Sequence, residues 1–499
     1  MERSSGILLP VFSLPSPYGV GTLGKAAYDF VDFLAAAGQS WWQLLPVGPT
    51  SYGDSPYQGF STYAGNPYFI DLDLLKQDKL LTAKEIKAAD WGGDPGRVDY
   101  EKLYNSRFTL LSLACERGWA RDEAKVQAFA EENPWLPDYA LYMAVKRHFD
   151  MKAWTEWPDE VIRLRKNGAV ERYQVLLADD VRLFTYIQYL FYQQWDALRA
   201  YAKKQGVGLI GDLPIYVAMD SADVWADPKC FQLDEKNVPT AVAGVPPDYF
   251  SVDGQLWGNP LYDWAAMERD GYGWWIRRIA GAEKLYDVVR IDHFRGLESY
   301  WAVPYGETTA KNGRWVKGPG LDFVRRITGW FRDMKFIAED LGILTPAVHE
   351  LLNASGLPGM KILEFAFDGD PDNAYLPHNH VKNSVCYVGT HDNAPIMAWK
   401  DEVGKAEVKF ARTYLGIGKD EELNWGLIRG GMGSVCDLFV MQLQDCLGLG
   451  GEARMNTPGV LGGNWQWRLA PGQLNKKLAK KLRELTAMYG RLAAKKKDE

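Results

Sequence analysis

The sequence predicts an α/β protein built as a (β/α)8 TIM barrel with large helical and loop insertions. Short apolar runs alternate along the chain with segments whose apolar residues have helical spacing, and this alternation is typical of a parallel sheet. Eight such units fit a barrel, for which about 250 residues is typical. The remainder of the 499 residues must therefore lie in insertions. The predicted strands lie within 6–12, 40–48, 206–217, 285–294, 335–342, 360–367, 384–393 and 437–448.

The insertions are expected where two predicted strands are too far apart for a single helix. The larger one, about 53–205, is rich in amphipathic helical pattern, and the second, about 218–262, is rich in Pro, Gly, Asp and Trp. Neither an internal repeat nor a low-complexity linker divides the chain. We therefore expect residues 1–499 to form a single domain, the barrel, with two insertion subdomains.

Composition and charge argue against several classes of partner. The 64 acidic and 57 basic residues give a formal net charge of −7, which does not favour nucleic acid. No run of roughly 20 apolar residues predicts a membrane span, and the amino terminus does not read as a signal peptide. The five cysteines are scattered without a CxxC pair, as expected of reduced thiols in a cytoplasmic protein. A monomer or a weak homo-oligomer is expected.

One glycine-rich stretch, GVGTLGKA at 19–26, has the outline of a nucleotide-binding loop. Residue 26 is Ala where a phosphate loop needs the hydroxyl that holds magnesium. A dinucleotide site needs a later acidic residue, and the next predicted strand ends without one. We therefore interpret the glycines as a tight loop that opens a helix.

Acidic residues at the ends of four predicted strands indicate where a reaction site lies. They are Asp212, Asp292, Glu339 and Asp392. Active sites of barrel enzymes form at the carboxyl ends of the strands, so these side chains should meet there. Side chains alternate along a strand, and Arg290 is therefore expected on the same face as Asp292.

A cluster of carboxylates suits the cleavage of glycosidic bonds. One carboxylate attacks the anomeric carbon, and a second, kept protonated by its surroundings, protonates the leaving oxygen. Arg290 is placed to keep Asp292 ionised, because an opposite charge lowers a carboxyl pKa. A metal site is the competing interpretation, but neither HExxH nor an EF-hand loop occurs, and Arg290 would repel a cation. No catalytic metal is expected.

The strand-end motifs GDLPIYV (211–217), VVRIDHFRG (288–296), FIAEDLG (336–342) and GTHDN (389–393) resemble the four short motifs of the α-amylase superfamily. They are similar in particular to those of the 4-alpha-glucanotransferases, also called amylomaltases or disproportionating enzymes, of glycoside hydrolase family 77. The resemblance runs from about residue 6 to 468. It includes the stretches 51–72, 244–264 and 452–468.

The resemblance implies a function and a set of catalytic residues. A segment of an α-1,4-glucan would pass to the 4-hydroxyl of another glucan or of glucose, with retention through a covalent β-glucosyl-aspartate intermediate. Such disproportionation of maltooligosaccharides belongs to starch or glycogen metabolism. Asp292 is implied as the nucleophile, Glu339 as the general acid/base and Asp392 as the transition-state stabiliser. The resemblance also implies no cofactor and no separate C-terminal β-domain.

Supporting roles are expected around these acids. Arg290 and His391 resemble partners of sugar hydroxyls and carboxylates, although Arg290 could be only an ion-pair staple. Asp212 is expected to order the site or to have a purely structural role. Ser55 and Tyr57 resemble a wall of the donor site, with Tyr57 as a stacking platform or a locally packed loop tyrosine.

Three further residues complete the expectations. Trp257 resembles a lid aromatic over the acceptor sugars, on a 244–264 loop expected to keep water out. Asn464 is expected to donate to a sugar hydroxyl or to form a turn. Tyr52 is assigned to a second surface sugar site.

Motif spacing alone does not separate a transferase from a hydrolase, because both use the same carboxylates. Transfer follows from the resemblance, and an α-1,4-glucan hydrolase of the amylase type is the alternative. A non-catalytic glucan-binding protein is a hypothesis of another class. The intact set of Asp292, Glu339 and Asp392 argues against it.

Overall fold

The computed structural model describes residues 2–51, 53–247, 251–342, 344–460 and 462–493. Eight strands form one parallel sheet in the order β10-β11-β12-β1-β2-β3-β6-β9, and four form an antiparallel sheet in the order β5-β4-β7-β8. In chain order, the strands are β1 (Ser4–Leu8), β2 (Trp41–Gln43), β3 (Gly208–Leu213), β4 (Ala241–Val245), β5 (Gln255–Pro260), β6 (Val288–Ile291), β7 (Ser299–Pro304), β8 (Arg314–Lys317), β9 (Lys335–Ala338), β10 (Gly359–Ile362), β11 (Ser384–Tyr387) and β12 (Leu438–Gln442).

The parallel sheet curls until its two end strands, β9 and β10, nearly meet. The Ala338 amide donates to the Pro358 carbonyl at 2.9 Å, and the Met360 amide donates to Asp340 Oδ1 at 2.6 Å. Each of the eight predicted runs overlaps one strand of this sheet, so the predicted barrel is confirmed. No further strand follows Gln442 among the described residues.

The barrel interior explains which way the site residues point. Alternate residues of neighbouring strands turn inward and pack together. Apolar members of this interior are Leu8, Ile210, Val288, Ile337, Ile362, Val385, Leu438 and Val440. Ile210 and Val288 are paired across β3 and β6. Two residues further along the same strands lie Asp212 and Arg290, which therefore point into the mouth of the barrel.

Helices surround the barrel and fill the first insertion. Several begin at a side chain that accepts a hydrogen bond from the first turn, such as Asp71, Thr82 and Asp99. The helices of the described residues are α1 (Lys25–Ala36), α2 (Leu72–Gln77), α3 (Ala83–Ala88), α4 (Tyr100–Glu132), α5 (Leu136–His148), α6 (Glu160–Arg163), α7 (Ala169–Leu176), α8 (Ala178–Lys204), α9 (Ala222–Ala226), α10 (Trp264–Arg269), α11 (Gly273–Leu285), α12 (Gly320–Trp330), α13 (Pro346–Ser355), α14 (Ile396–Glu402), α15 (Lys405–Tyr414), α16 (Leu423–Gly433), α17 (Leu443–Leu447) and α18 (Lys476–Met488).

The glycine-rich stretch at 19–26 ends where α1 begins, as expected. A Cβ on Gly24 would lie 2.0 Å from Asp71 Oδ2, so packing alone accounts for this glycine. Within the described ranges, each helix is too short or too polar to span a lipid bilayer.

The antiparallel sheet was not predicted. Its strands β4 and β5 come from the 218–262 stretch, whereas β7 and β8 come from the connection between β6 and β9. Gly244 of β4 pairs with Leu256 on one side and with Trp301 on the other. The expectation that 244–264 is a loop is therefore wrong, because the end of β4, all of β5 and the first residue of α10 fall within it.

A buried arginine near the carboxyl end of the described chain ties β1 to β12 at the amino end of the barrel. The Arg491 guanidinium donates to the carbonyls of Ser4 and Met432, both at 2.9 Å. It also donates to the carbonyls of Asp437 at 3.2 Å and Ser434 at 2.9 Å. Ser4 begins β1, and Asp437 directly precedes β12.

We predict that Arg491→Met lowers the melting temperature by several degrees. The substitution removes the hydrogen bonds of a buried charged group to these carbonyls, and a hydrogen bond to a charged group contributes about 1.5–3 kcal/mol. Calorimetry of the purified protein measures the effect. Arg483→Met on exposed α18 is the matched control, since Arg483 makes a single long contact, to the Ala35 carbonyl at 3.4 Å. Equal melting temperatures for the two variants would contradict the assignment.

Candidate active site

The carboxyl ends of β3, β6 and β9 bring three of the predicted acids together. Asp212 pairs directly with Arg290 across β3 and β6. The backbone ladder then continues past the strand ends, because the Asp292 amide donates to the Leu213 carbonyl and the Glu339 amide to the Ile291 carbonyl, both at 3.0 Å. Asp292 and Glu339 therefore follow neighbouring strands at the same level.

Arg290 binds two of these carboxylates at once. Its Nη1 donates to both oxygens of Asp212 at 2.7 Å and to Asp292 Oδ1 at 2.9 Å. The side chains of Arg290 and Asp212 are almost fully buried, while that of Asp292 is 29% exposed. Arg290 thus forms ion pairs with both Asp212 and Asp292.

The surroundings of Asp292 raise the pKa of its carboxyl. Burial raises the pKa of Asp292 to about 7, and the positive charge of Arg290 opposes this rise. The carboxylates of Asp212, Glu339 and Asp392 act in the same direction as burial. Arg290 therefore opposes the effect of burial and favours the ionised form of Asp292.

Glu339 is held beside Asp292 by backbone amides. Its Oε2 accepts from the His293 amide at 2.7 Å and its Oε1 from the Leu341 amide at 2.9 Å. His293 has a left-handed backbone, with φ 53°, which directs this amide towards Glu339. Burial raises the pKa of Glu339, and Arg290 and the two amides oppose the rise. A raised pKa suits a group that must carry a proton to the leaving oxygen.

Tyr57 connects two sides of the site. Its hydroxyl donates to Asp212 Oδ2 at 2.7 Å and lies 2.8 Å from His391 Nε2. The rings of Tyr57 and His391 are stacked, with centroids 5.1 Å apart. Burial raises the pKa of Tyr57 well above its usual range, so the phenol stays neutral. One face of the expected stacking platform is therefore covered by His391.

Asp392 lies on the loop after β11 and is held by two residues that the sequence analysis did not select. Asn456 Nδ2 donates to Asp392 Oδ1 at 2.6 Å. Arg454 donates to the Asp392 carbonyl at 3.2 Å and to the Asn456 carbonyl at 2.9 Å. His391 Nε2 is 3.4 Å from Asp392 Oδ1. Both missed residues lie in the stretch 452–468, which the resemblance had marked but from which only Asn464 was chosen.

An open cleft of about 890 Å³ lies above these groups. It brings most of the predicted site residues together. Those that line it are Ser55, Tyr57, Trp257, Asp292, His391, Asp392 and Asn464. Asp212 and Arg290 lie buried behind Tyr57 and Asp292, and Glu339 is almost fully buried.

Trp257 and Ser55 have defined places in the walls of the cleft. Trp257 lies on β5 rather than on a loop, and its ring meets that of His293 edge to face at 4.8 Å. Its Nε1 donates to Gln255 Oε1 at 3.1 Å. Ser55 Oγ accepts from the Tyr57 amide at 3.3 Å and so shapes the loop that carries Tyr57.

The side-chain amide of Asn464 bonds to its own loop. Its Oδ1 accepts from the Thr457 amide at 3.0 Å, and its Nδ2 donates to the Val460 carbonyl at 2.8 Å. This geometry corresponds to the turn-forming alternative. Tyr52, assigned to a second sugar site, lies outside the described residues. Across the described part of the chain, no three ligating side chains are grouped to hold a metal ion.

The fold and the site together define a class: barrel enzymes with acidic residues at the strand ends, suited to glycosidic chemistry. The family model of the 4-alpha-glucanotransferases, glycoside hydrolase family 77, matches residues 9–475. The chain therefore belongs to the 4-alpha-glucanotransferase family, as the sequence resemblance predicted.

Individual relatives extend over nearly the whole chain. A 4-alpha-glucanotransferase of Clostridium butyricum is 46% identical and covers 96% of this chain and 99% of its own length. A 4-alpha-glucanotransferase of Thermus thermophilus is 46% identical and covers 99% of this chain and 100% of its own length. An amylomaltase from Streptococcus agalactiae, solved in complex with acarbose, is 39% identical in sequence and covers 99% of this chain and 100% of its own. The two structures superpose with a TM-score of 0.97.

We predict that Arg290→Met moves the acidic limb of the kcat/KM profile to higher pH by about one pH unit or more, because the pKa of Asp292 loses an opposing positive charge. A protonated Asp292 is no nucleophile, so activity falls as the pH drops through this pKa. Rates with maltotriose from about pH 5 to 9 measure the shift. Arg290→Lys, which keeps a charge, should shift the limb less. If the acidic limb of the Arg290→Met profile does not move, Arg290 does not control the ionisation of Asp292.

We predict that Asn456→Ala lowers kcat about tenfold or more while KM changes little. A hydrogen bond to a charged group contributes about 1.5–3 kcal/mol, and its loss lets the Asp392 carboxylate turn away. Steady-state kinetics with maltotriose measure both constants. Asn383→Ala is the matched control, because Asn383 donates to the Gly356 carbonyl at the opposite end of the barrel. Equal losses in the two variants would point to general destabilisation.

Proposed function

We propose that this chain transfers a segment of an α-1,4-glucan to the 4-hydroxyl of another glucan or of glucose, with net retention. The observation that carries the proposal is the placement of Asp292 and Glu339 directly after neighbouring strands. Retaining enzymes need two carboxyls about 5–5.5 Å apart, and neighbouring strands lie about 4.7–4.9 Å apart.

The reaction has two halves. Asp292 attacks the anomeric carbon of the donor, while Glu339 gives its proton to the departing 4-oxygen, and a β-glucosyl ester forms on Asp292. The 4-hydroxyl of the acceptor then attacks the same carbon as Glu339 takes its proton, and the ester bond breaks. Two inversions give back an α-1,4 bond.

The other site residues support these steps from both sides of the reacting ring. Asp392, held by Asn456, binds hydroxyls of the ring and stabilises positive charge in the transition state. Asp212, Tyr57 and His391 form the donor side together with Arg290. Ser55 and Asn464 shape the donor wall, and Tyr52 is proposed for a second surface sugar site.

Trp257 and the antiparallel sheet form the acceptor side. A platform for the incoming sugar favours a glucan over water as the group that opens the ester. The names of relatives that match over nearly full length also favour transfer, so an amylase-type hydrolase is not favoured.

We also propose the setting in which this chemistry occurs. Residues 1–499 act as one catalytic domain, with insertion subdomains at about 53–205 and about 218–262, as a monomer or weak homo-oligomer that needs no cofactor. A cytoplasmic location is supported by the five cysteines, which are all buried and unbridged. The net charge of −7 supports the proposal that no nucleic acid is bound.

We predict that Glu339→Gln is inactive on maltotriose yet traps a glucosyl ester when given α-glucosyl fluoride. Fluoride leaves without a proton, so the first half-reaction proceeds, while the acceptor hydroxyl lacks its base. Peptide mass mapping should place the sugar on Asp292. The double variant Asp292→Asn, Glu339→Gln is the control and should carry none. A sugar attached to another residue would contradict the assignment of Asp292 as the nucleophile.

We predict that Trp257→Ala raises the ratio of hydrolysis to transfer several-fold while total turnover falls. Aromatic stacking contributes on the order of 1 kcal/mol, and the sugar acceptor loses it while water does not. Incubation with maltotriose, with products resolved by length, measures the ratio, and a ladder of longer and shorter glucans reports transfer. Trp330→Ala, at an exposed tryptophan of α12, is the control. An unchanged ratio with reduced turnover would make Trp257 a scaffold only.

A further inference from the structure

A second cavity, here called the insertion cavity, lies where the helical insertion meets the barrel. Its volume is about 360 Å³, which is within the range of small-molecule sites. It shares no lining residue with the catalytic cleft. Its walls come from the start of α5 and from α8, α9 and α11, together with the segment that follows Tyr57.

Aromatic rings form much of the wall. Tyr63 and Trp135 are half-buried and stacked, with centroids 5.9 Å apart and planes 11° apart. The buried rings of Tyr139, Tyr192 and Trp274 complete this side. Such rings offer flat apolar faces with a polar edge, which suits a ligand that has both apolar and hydroxyl surface.

A buried carboxylate borders the same space. Asp223 on α9 is 6% exposed, and its Oδ2 accepts from the Thr62 amide at 2.8 Å. The carboxyl also lines the insertion cavity. Burial raises the pKa of this carboxyl to about 7. A carboxyl accepts a hydrogen bond from a hydroxyl when it is ionised and also donates one when it is protonated.

The charges around the insertion cavity narrow the class of ligand. Its acids outnumber its bases, which disfavours an anion. The ionisable lining residues are Glu132, Asp138, Asp223, Asp227, Arg277 and Lys284. Both bases are already engaged, Arg277 with Asp227 at 3.3 Å and Lys284 with the Glu132 carbonyl at 2.9 Å. A purely apolar ligand would offer no hydrogen bond to the Asp223 carboxyl. A neutral ring that carries hydroxyls satisfies both the aromatic wall and the carboxylate.

We propose that the insertion cavity binds a glucose- or maltose-sized α-glucan unit, as a site separate from the catalytic cleft. The sugar ring lies against Trp135 and Tyr63, and a hydroxyl forms a hydrogen bond with the Asp223 carboxyl. The choice of glucan rests on the proposed function, because that reaction keeps the enzyme among short glucans as substrates and products.

The test counts bound maltose in an Asp292→Asn background, in which turnover is blocked. Equilibrium dialysis with radiolabelled maltose gives the equivalents bound per chain. Ala280→Phe fills the cavity from α11 and should remove one equivalent. Ala265→Phe, at an exposed alanine of α10 outside the cavity, is the matched control and should bind as the parent does. Equal counts in all three proteins, or a single equivalent in the parent, would overturn the proposal.

A second variant covers the case in which Ala280→Phe fails to fold. Trp135→Ala removes a half-buried ring from the wall and should weaken maltose binding at one site several-fold while leaving binding at the other sites unchanged. Unchanged binding at every site would overturn the inference. The maltotriose assay of the unmodified chain tests the proposed function separately. Failure to transfer would refute that function, whereas the maltose count still decides whether the insertion cavity is a sugar site.

Discussion

The active site depends on one buried guanidinium. Arg290 contacts Asp212 and Asp292 directly, and its charge opposes the rise that burial causes in the pKa of Glu339. Three carboxylates at adjoining strand ends would repel one another in a low-dielectric mouth, and an uncompensated buried charge costs about 3–5 kcal/mol. One fixed positive charge offsets this repulsion and so stabilises the cluster of acids. Because Arg290 lies on β6, between β3 and β9 in the sheet, the barrel itself places that charge among the acids.

Asp392 has a different environment. It is 44% exposed and is held mainly by the neutral amide of Asn456, with Arg454 bonded to backbone carbonyls instead of to the carboxylate. The site thus combines acids influenced by burial and Arg290 with one acid that an amide orients.

The barrel and its acids were predictable because their signals are local. Each apolar run overlaps its own strand, and an acid at the carboxyl end of a barrel strand lies at the mouth. The antiparallel sheet was missed because β4 pairs with β7 across the intervening strand β6, and the Gly- and Pro-rich sequence of 244–264 resembles a loop. Asn456 was missed because it bonds to Asp392, 64 residues away. The amide of Asn464, a stronger candidate by sequence, turned out to be bonded to its own loop.

The mixed origin of the antiparallel sheet has a consequence for the order of folding. During synthesis the β4–β5 hairpin, which carries Trp257, leaves the ribosome before β6 does. Its inner strand keeps an open edge until β7 arrives and pairs with it. Unpaired edges favour association with other chains. The antiparallel sheet is therefore completed only after the strand that carries Arg290 has been made, and a chain released before β7 would expose that edge.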